Sequence, residues 1–259
     1  RGTLQGLDRR CWQDRAAGQD PGAGMTAPVR RIVAIGGGGF SMDDFSLRQE
    51  RHLLSRVRPG AVHPRVLFLA TASGDRELYH LKFLRAFSQL DCRPDTLAFF
   101  PFDMRRDYAL AVREADLIFV GGGNTVGMLA VWREFGFDVA LREAYQAGTV
   151  LAGISAGGNC WFERYVTDSV PGGGVREGLG LLPGTFCPHL DSEPWRPAVL
   201  LGQGAPAWGA GENVMVEFEN EVAVAAWSDR PATDPRPLAC QHRPAGAAAL
   251  SDWLPHRMG

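Results

Sequence analysis

TVLAGISAGGNC, residues 149–160, carries the reading of this chain. Its first six residues are mostly apolar without alternation, the pattern of a short strand buried on both faces. Gly153-Ile-Ser155-Ala-Gly157 then matches the G-x-S-x-G spacing of a strand that turns sharply into a helix. The serine of such a turn has a strained backbone, and larger neighbours would clash. Glycines remove the clash, so the turn lifts the Ser155 hydroxyl clear of the strand tip. The amide of Ala156 then faces any oxyanion formed there. The bland alternative is a buried serine that caps the helix.

Upstream, the strand-then-helix rhythm repeats. RIVAI (31–35), RVLFLAT (65–71), TLAFF (96–100) and DLIFV (116–120) read as strands. Helices are expected over 43–57, 75–90, 107–115, 124–135 and 138–147, from apolar residues at three- and four-residue spacing. In 75–90 the stripe is Leu78, Leu81, Leu84, Phe87 and Leu90. Strands that alternate with helices need crossover connections. The fold class is therefore α/β, a mainly parallel sheet with helices on both faces.

Downstream the rhythm breaks. Residues 168–188 read as loop, and 194–201 as a short helix with proline in its first turn. Residues 213–218 and 221–227 read as a late β-hairpin turning at Glu219-Asn220. Residues 228–259, with five prolines, read as a wrapping tail. Residues 1–24 are polar and lack the apolar core of a secretory signal. They are expected to be a disordered leader or upstream extension, with 25–259 forming one α/β domain.

Composition excludes several classes. Of 259 residues, 45% are hydrophobic and 22% charged, and the net charge of −2 gives no field for nucleic acid. No apolar run approaches the roughly 20 residues of a membrane helix. The cysteines number five, an odd count without a C-x-x-C pair, which reads as reduced thiols of a cytoplasmic protein. The six histidines show neither H-x-x-x-H nor H-E-x-x-H, so neither a metal nor a cofactor is expected. A homodimer is compatible with all of this.

The glycines are clustered. IGGGGF (35–40) follows the first strand but fails the dinucleotide fingerprint, because position 41 is serine where glycine is needed. FVGGGNTVGML (119–129) is stronger. A buried strand ends at Val120, and Asn124 caps the next helix. The amides of Gly122 and Gly123 supply a second donor for the oxyanion. A serine nucleophile also needs a base. His52 and His80 fall in helices, His63 in a loop before proline, and His242 and His256 in the tail. His189, beyond the elbow in TFCPHLDSEP, has the placement of a base. Its carboxylate partner comes from Asp168, Asp191, Glu193 or Glu212. Asp191 and Glu193 are too near His189 in sequence to reach around its ring, which leaves Glu212 and Asp168. Two other readings stand beside this one. A glutaminase-like amidase would use cysteine at the elbow, where this chain has Ser155 and places Cys160 more than a helical turn away. A ligand-binding module on the same fold would not react at all.

With these residues in place, the chain resembles the peptidase E (aspartyl dipeptidase) family, which includes cyanophycinase. The likeness covers about residues 30–227 and rests on GGGNT (121–125), GISAGGN (153–159) and Pro188-His189, in that order. It implies a flavodoxin-like or glutaminase-like sandwich and a serine peptidase acting on short peptides. It also implies Ser155 as nucleophile, His189 as base and Glu212 as the third member. Asn124, Asp191, Glu193 and Arg196 are then expected to face the substrate. Arg196 would take an aspartate side chain, and the two acids after His189 suit a substrate amine.

Overall fold

The computed structural model describes residues 27–43, 46–101, 103, 105–204, 206–230, 239–242, 251–252 and 256–257. The expected leader, 1–24, lies outside them, as does most of the tail.

β1 (Arg31–Ile35) shows how the main sheet is held. Its residues alternate between two cores. Ile32 and Ala34 enter one, Val33 and Ile35 the other, and all four are fully buried. A strand covered on both faces has no polar side to show, which is why it reads as a continuous apolar run. β2 (Arg65–Leu69), β4 (Leu117–Val120) and β5 (Val150–Ile154) repeat the arrangement. Together with β3 (Arg93–Leu97) they form a parallel block in the order β1-β5-β4-β2-β3.

β3 begins three residues before the expected strand and ends inside it. Pro94 explains the difference. A proline has no N–H for the ladder, so it is admitted at a sheet edge, where β3 lies. The helix expected over 43–57 is shorter too. A 3-10 turn fills Gly39–Met42, and α1 spans only Arg48–Ser55, because Asp43 and Leu47 adopt positive φ. α2 (Glu77–Phe87) buries Phe83, Ala86 and Phe87 but exposes Leu78 and Leu81, so its expected apolar stripe is half wrong. α3 (Tyr108–Glu114), α4 (Thr125–Glu134) and α5 (Phe137–Gln146) lie where expected, the first two capped by Asp107 and Asn124. β10 (Val214–Glu219) adds antiparallel to β1, and β11 (Val222–Ser228) pairs with β10. Their hairpin turns at Asn220 and Glu221, one residue later than expected, and both have the positive φ of a tight primed turn.

The largest departure lies in the segment expected to be loop. After α6, a single turn at Ala156–Asn159, come β6 (Phe162–Thr167), β7 (Gly174–Glu177) and β8 (Leu182–Cys187). α7 (Arg196–Leu201) leads to β9 (Ala207–Ala210). In the tail, β12 (Ala239–His242) pairs with β9 and with β13 (Ser251–Asp252). The result is a second sheet in the order β13-β12-β9-β8-β6-β7. β14 (His256–Arg257) joins the main sheet beside β11. Aromatic rings seal the two sheets together. Phe162 stacks on Phe186 at 4.8 Å, and Phe218 of the main sheet meets Phe162 and Trp208 edge-on. No helix among the described residues is long and apolar enough to cross a membrane.

Candidate active site

Ser155 stands at the carboxyl end of β5, in the middle of the parallel block, where open α/β sheets bind ligands. Its backbone has φ 55° and ψ −112°, a strained conformation for a residue with a side chain. The turn is possible because its neighbours are bare. A Cβ on Gly153 would lie 2.1 Å from the Gly157 carbonyl oxygen, and one on Gly157 would lie 2.2 Å from that of Val120. The spacing that singled out residues 153–157 is thus a packing requirement, of Gly153 against its own turn and of Gly157 against β4.

His189 follows β8, so the second sheet delivers it. Its Nε2 lies 2.8 Å from Ser155 Oγ. Its Nδ1 contacts a carboxylate oxygen of Glu212. A proton held on Nδ1 by that carboxylate turns the Nε2 lone pair toward the serine hydroxyl. Both side chains are about one-quarter exposed. Asp168, the other carboxylate considered, is two-thirds exposed and pairs with Arg196 at 3.3 Å.

Two devices fix Glu212. Gly37, in the first glycine cluster, bridges to it, and a Cβ there would meet the Glu212 carboxylate at 1.9 Å. That close approach accounts for a cluster that fits no nucleotide motif. On the other side, the Glu212 amide donates to Asp191 Oδ1 at 2.8 Å. Arg230 pairs with Asp191 and donates from Nε to the Glu212 carbonyl. Both members of this pair have almost wholly buried side chains. Asp191 lies two residues after His189, so one ion pair clasps the histidine loop to the glutamate strand.

Of the four residues expected to face the substrate, none lines the cavity over Ser155. Asn124 caps α4 through Gly127 and donates to the Ser169 carbonyl. Asp191 belongs to the clasp. Glu193 is bonded to Trp195 and Arg196, and the Arg196 side chain is buried between Glu193 and Asp168. Acids close to His189 in sequence were expected at the mouth, but a tight turn folds Asp191 inward. The cavity, about 350 Å³, is walled instead by loops after β1, β2 and β4. Its cations are Arg76 and Lys82, with Tyr79 between them. Arg76 precedes α2, and Tyr79 and Lys82 follow within it, on the helix whose leucines have a core-like spacing. A polar stripe at 76, 79 and 82, three residues apart behind a strand's carboxyl end, was the available signal. Lys82 Nζ also contacts Asp43 at 2.9 Å.

For the oxyanion donors, Ala156 opens the turn after Ser155, while Gly123 lies away from the cavity. Gly122 does line it, but its amide is engaged by the Tyr79 hydroxyl at 3.2 Å. Cys160 is fully buried, with its thiol on the Gly157 carbonyl, and burial pushes that thiol well above its ordinary pKa. It is therefore a poor nucleophile. No cluster of metal-ligating side chains occurs among the described residues.

A hydroxyl, an imidazole and a carboxylate in line at the strand ends of a parallel sheet is the arrangement serine hydrolases use. The chain belongs to peptidase family S51, whose sequence model matches residues 32–224. It is 46% identical over 165 residues to the uncharacterized peptidase YgaJ of Bacillus subtilis (strain 168), covering 64% of this chain and 70% of that protein. It is 28% identical over 138 residues to peptidase E of Shewanella denitrificans, covering 43% and 57%. Among solved structures, a peptidase from an acI-B1 actinobacterium superposes with a TM-score of 0.62 at 17% identity, covering 84% of this chain and 95% of that one. That last likeness speaks to the fold.

Proposed function

We propose that the protein is a serine exopeptidase that hydrolyses dipeptides and other short peptides bearing carboxylates. The observation that carries this is the 2.8 Å contact between Ser155 Oγ and His189 Nε2, with Glu212 on the far nitrogen. In the first step Ser155 Oγ adds to the scissile carbonyl carbon while His189 Nε2 takes its proton. The carbonyl electron pair moves to oxygen, where the Ala156 amide stabilises it. Collapse breaks the C–N bond, and the leaving amine takes the proton from His189. Water, deprotonated by the same nitrogen, then adds to the acyl carbon, and collapse breaks the bond to Ser155 Oγ, which takes the proton back from His189.

Substrate size and charge follow from the cavity. At about 350 Å³ it is near the lower end for small-molecule sites, which suits two residues better than an extended chain. Arg76 and Lys82 give it two cations where a dipeptide with an acidic first residue brings two carboxylates. They take the place expected for Arg196. The experiment is a dipeptide panel with the first residue varied among Asp, Glu, Ala and Lys, run beside labelling by a fluorophosphonate. Labelling at Ser155 with fastest cleavage of the acidic members is expected. An unlabelled protein sinks the serine mechanism, and fastest cleavage of the Lys members sinks the charge argument.

A further inference from the structure

Tyr79 lines the same cavity as Ser155, and its hydroxyl oxygen is the acceptor for the Gly122 amide at 3.2 Å. Gly122 itself packs against the nucleophile. A Cβ built on it would lie 3.4 Å from Ser155 Cβ and 3.9 Å from Oγ. The phenol oxygen therefore lies in the cavity beside the glycine that backs the nucleophile. It cannot withdraw easily. Phe68 meets the Tyr79 ring edge-on at 5.0 Å, Phe40 lies at 5.9 Å, and a Cβ on Gly121 would meet the ring at 2.7 Å.

The Tyr79 hydroxyl oxygen accepts from the Gly122 amide, so its own proton remains to be donated. Ser41, whose hydroxyl bonds the Gly38 carbonyl at 2.6 Å, lines the same cavity. The phenol proton can be aimed by rotating the O–H, with no heavy atom moving. Burial pushes the phenol up, so it keeps its proton.

We infer that Tyr79 is a further catalytic residue, whose hydroxyl donates a hydrogen bond to the oxyanion, polarised from behind by the Gly122 amide. This rests on the serine-peptidase reading above. No proton changes owner at Tyr79. The electron pair that moves to the carbonyl oxygen is stabilised by the donated bond, which is released when the pair collapses back. Gly122, expected to donate directly, would act through Tyr79.

The test is Tyr79→Phe in the full chain, which keeps the ring and deletes the hydroxyl. A fall in kcat of about 10²–10³-fold is expected, with KM within about threefold because the bond forms in the transition state. Affinity for a peptidyl boronic acid, which mimics the tetrahedral intermediate, should fall by a comparable factor. 3-Fluorotyrosine at position 79, which retains the hydroxyl, should restore turnover to within about threefold. Unchanged or raised kcat in a folded Tyr79→Phe protein overturns the proposal, as does unchanged boronate affinity. In either case continued fluorophosphonate labelling of the wild type leaves the serine mechanism standing, whereas an unlabelled wild type overturns both.

Discussion

Ser155 and His189 meet at 2.8 Å, yet different forces bring them there. The serine is placed by its own backbone. β5, the bare glycines at 153 and 157 and the one-turn helix lie within a dozen residues. The histidine and its glutamate are placed by tertiary structure. β8 of the second sheet ends at one, the link from β9 to β10 carries the other, and the buried Asp191–Arg230 pair ties them. The local half is rigid by geometry and indifferent to charge. The distant half depends on an ion pair whose loss leaves a charge stranded in the interior. One centre thus has two kinds of vulnerability, and mutation should separate them.

Ser155→Ala removes the nucleophile from the local half and leaves its frame. Turnover should fall about 10⁴–10⁶-fold, with melting shifted by no more than a few degrees. More than about a tenth of wild-type activity in the purified variant would falsify the assignment. Glu212→Gln keeps the shape of the distant half but weakens support for the imidazolium. A loss of about 10²–10⁴-fold in turnover is expected, carried equally into kcat/KM. Equal activity of variant and wild type would remove Glu212 from the chemistry.

Breaking the clasp should damage stability and activity together. Asp191→Asn or Arg230→Met should cost about 3–5 kcal/mol in chemical denaturation. Replacing both with apolar residues should restore much of that stability without restoring turnover. Recovery of full activity in the double variant would show that the pair only supports folding. Further along β10, Glu217 meets His52 of α1, Arg56 just past its end and the Trp227 indole of β11. Burial alone would raise its carboxyl, but the bond from His52 and the charge of Arg56 outweigh it, and the net shift is downward. A depressed carboxyl stabilises the fold above its ordinary value of 4.5, and that contribution is lost as pH falls through the folded pKa. Glu217→Gln should therefore cost about 1–3 kcal/mol at neutral pH. The gap should close on acidification, and a gap independent of pH would argue against it. Asp168→Asn should change turnover less than about twofold, because its exposed side chain meets Arg196 and not His189. A severe defect there would reverse the choice between the two carboxylates.

The same division governs what could be read from the sequence. The parallel block is legible because each strand is buried on both faces, and so appears as an apolar run. The elbow is legible because close packing forbids side chains at 153 and 157. The second sheet left no such trace. β8 reads LPGTFC, with proline and glycine inside it, and β6 reads FERYVT, mixed in polarity. Their partners are short, and what seals them is Phe162, Phe186 and Trp208 against another sheet. His189 emerged by elimination, and Glu212 through resemblance rather than pattern. Tyr79, Arg76 and Lys82 were missed because Leu78 and Leu81 gave their helix a core-like spacing, although both leucines are exposed. Asp191 is expected at the mouth of the site, since the arginine that draws it inward lies 39 positions along the chain.

That distance has a consequence for the order in which the protein is made. A ribosome releases the nucleophile and its glycine frame by residue 160, the histidine by 189 and the glutamate by 212. The guanidinium that closes the clasp follows at 230, just past the β10–β11 hairpin that must fold back onto β1. Throughout that interval the nascent chain carries a serine without an oriented base. Under the serine-peptidase reading, hydrolytic competence therefore waits for Arg230, by which point every strand of the parallel block has been made.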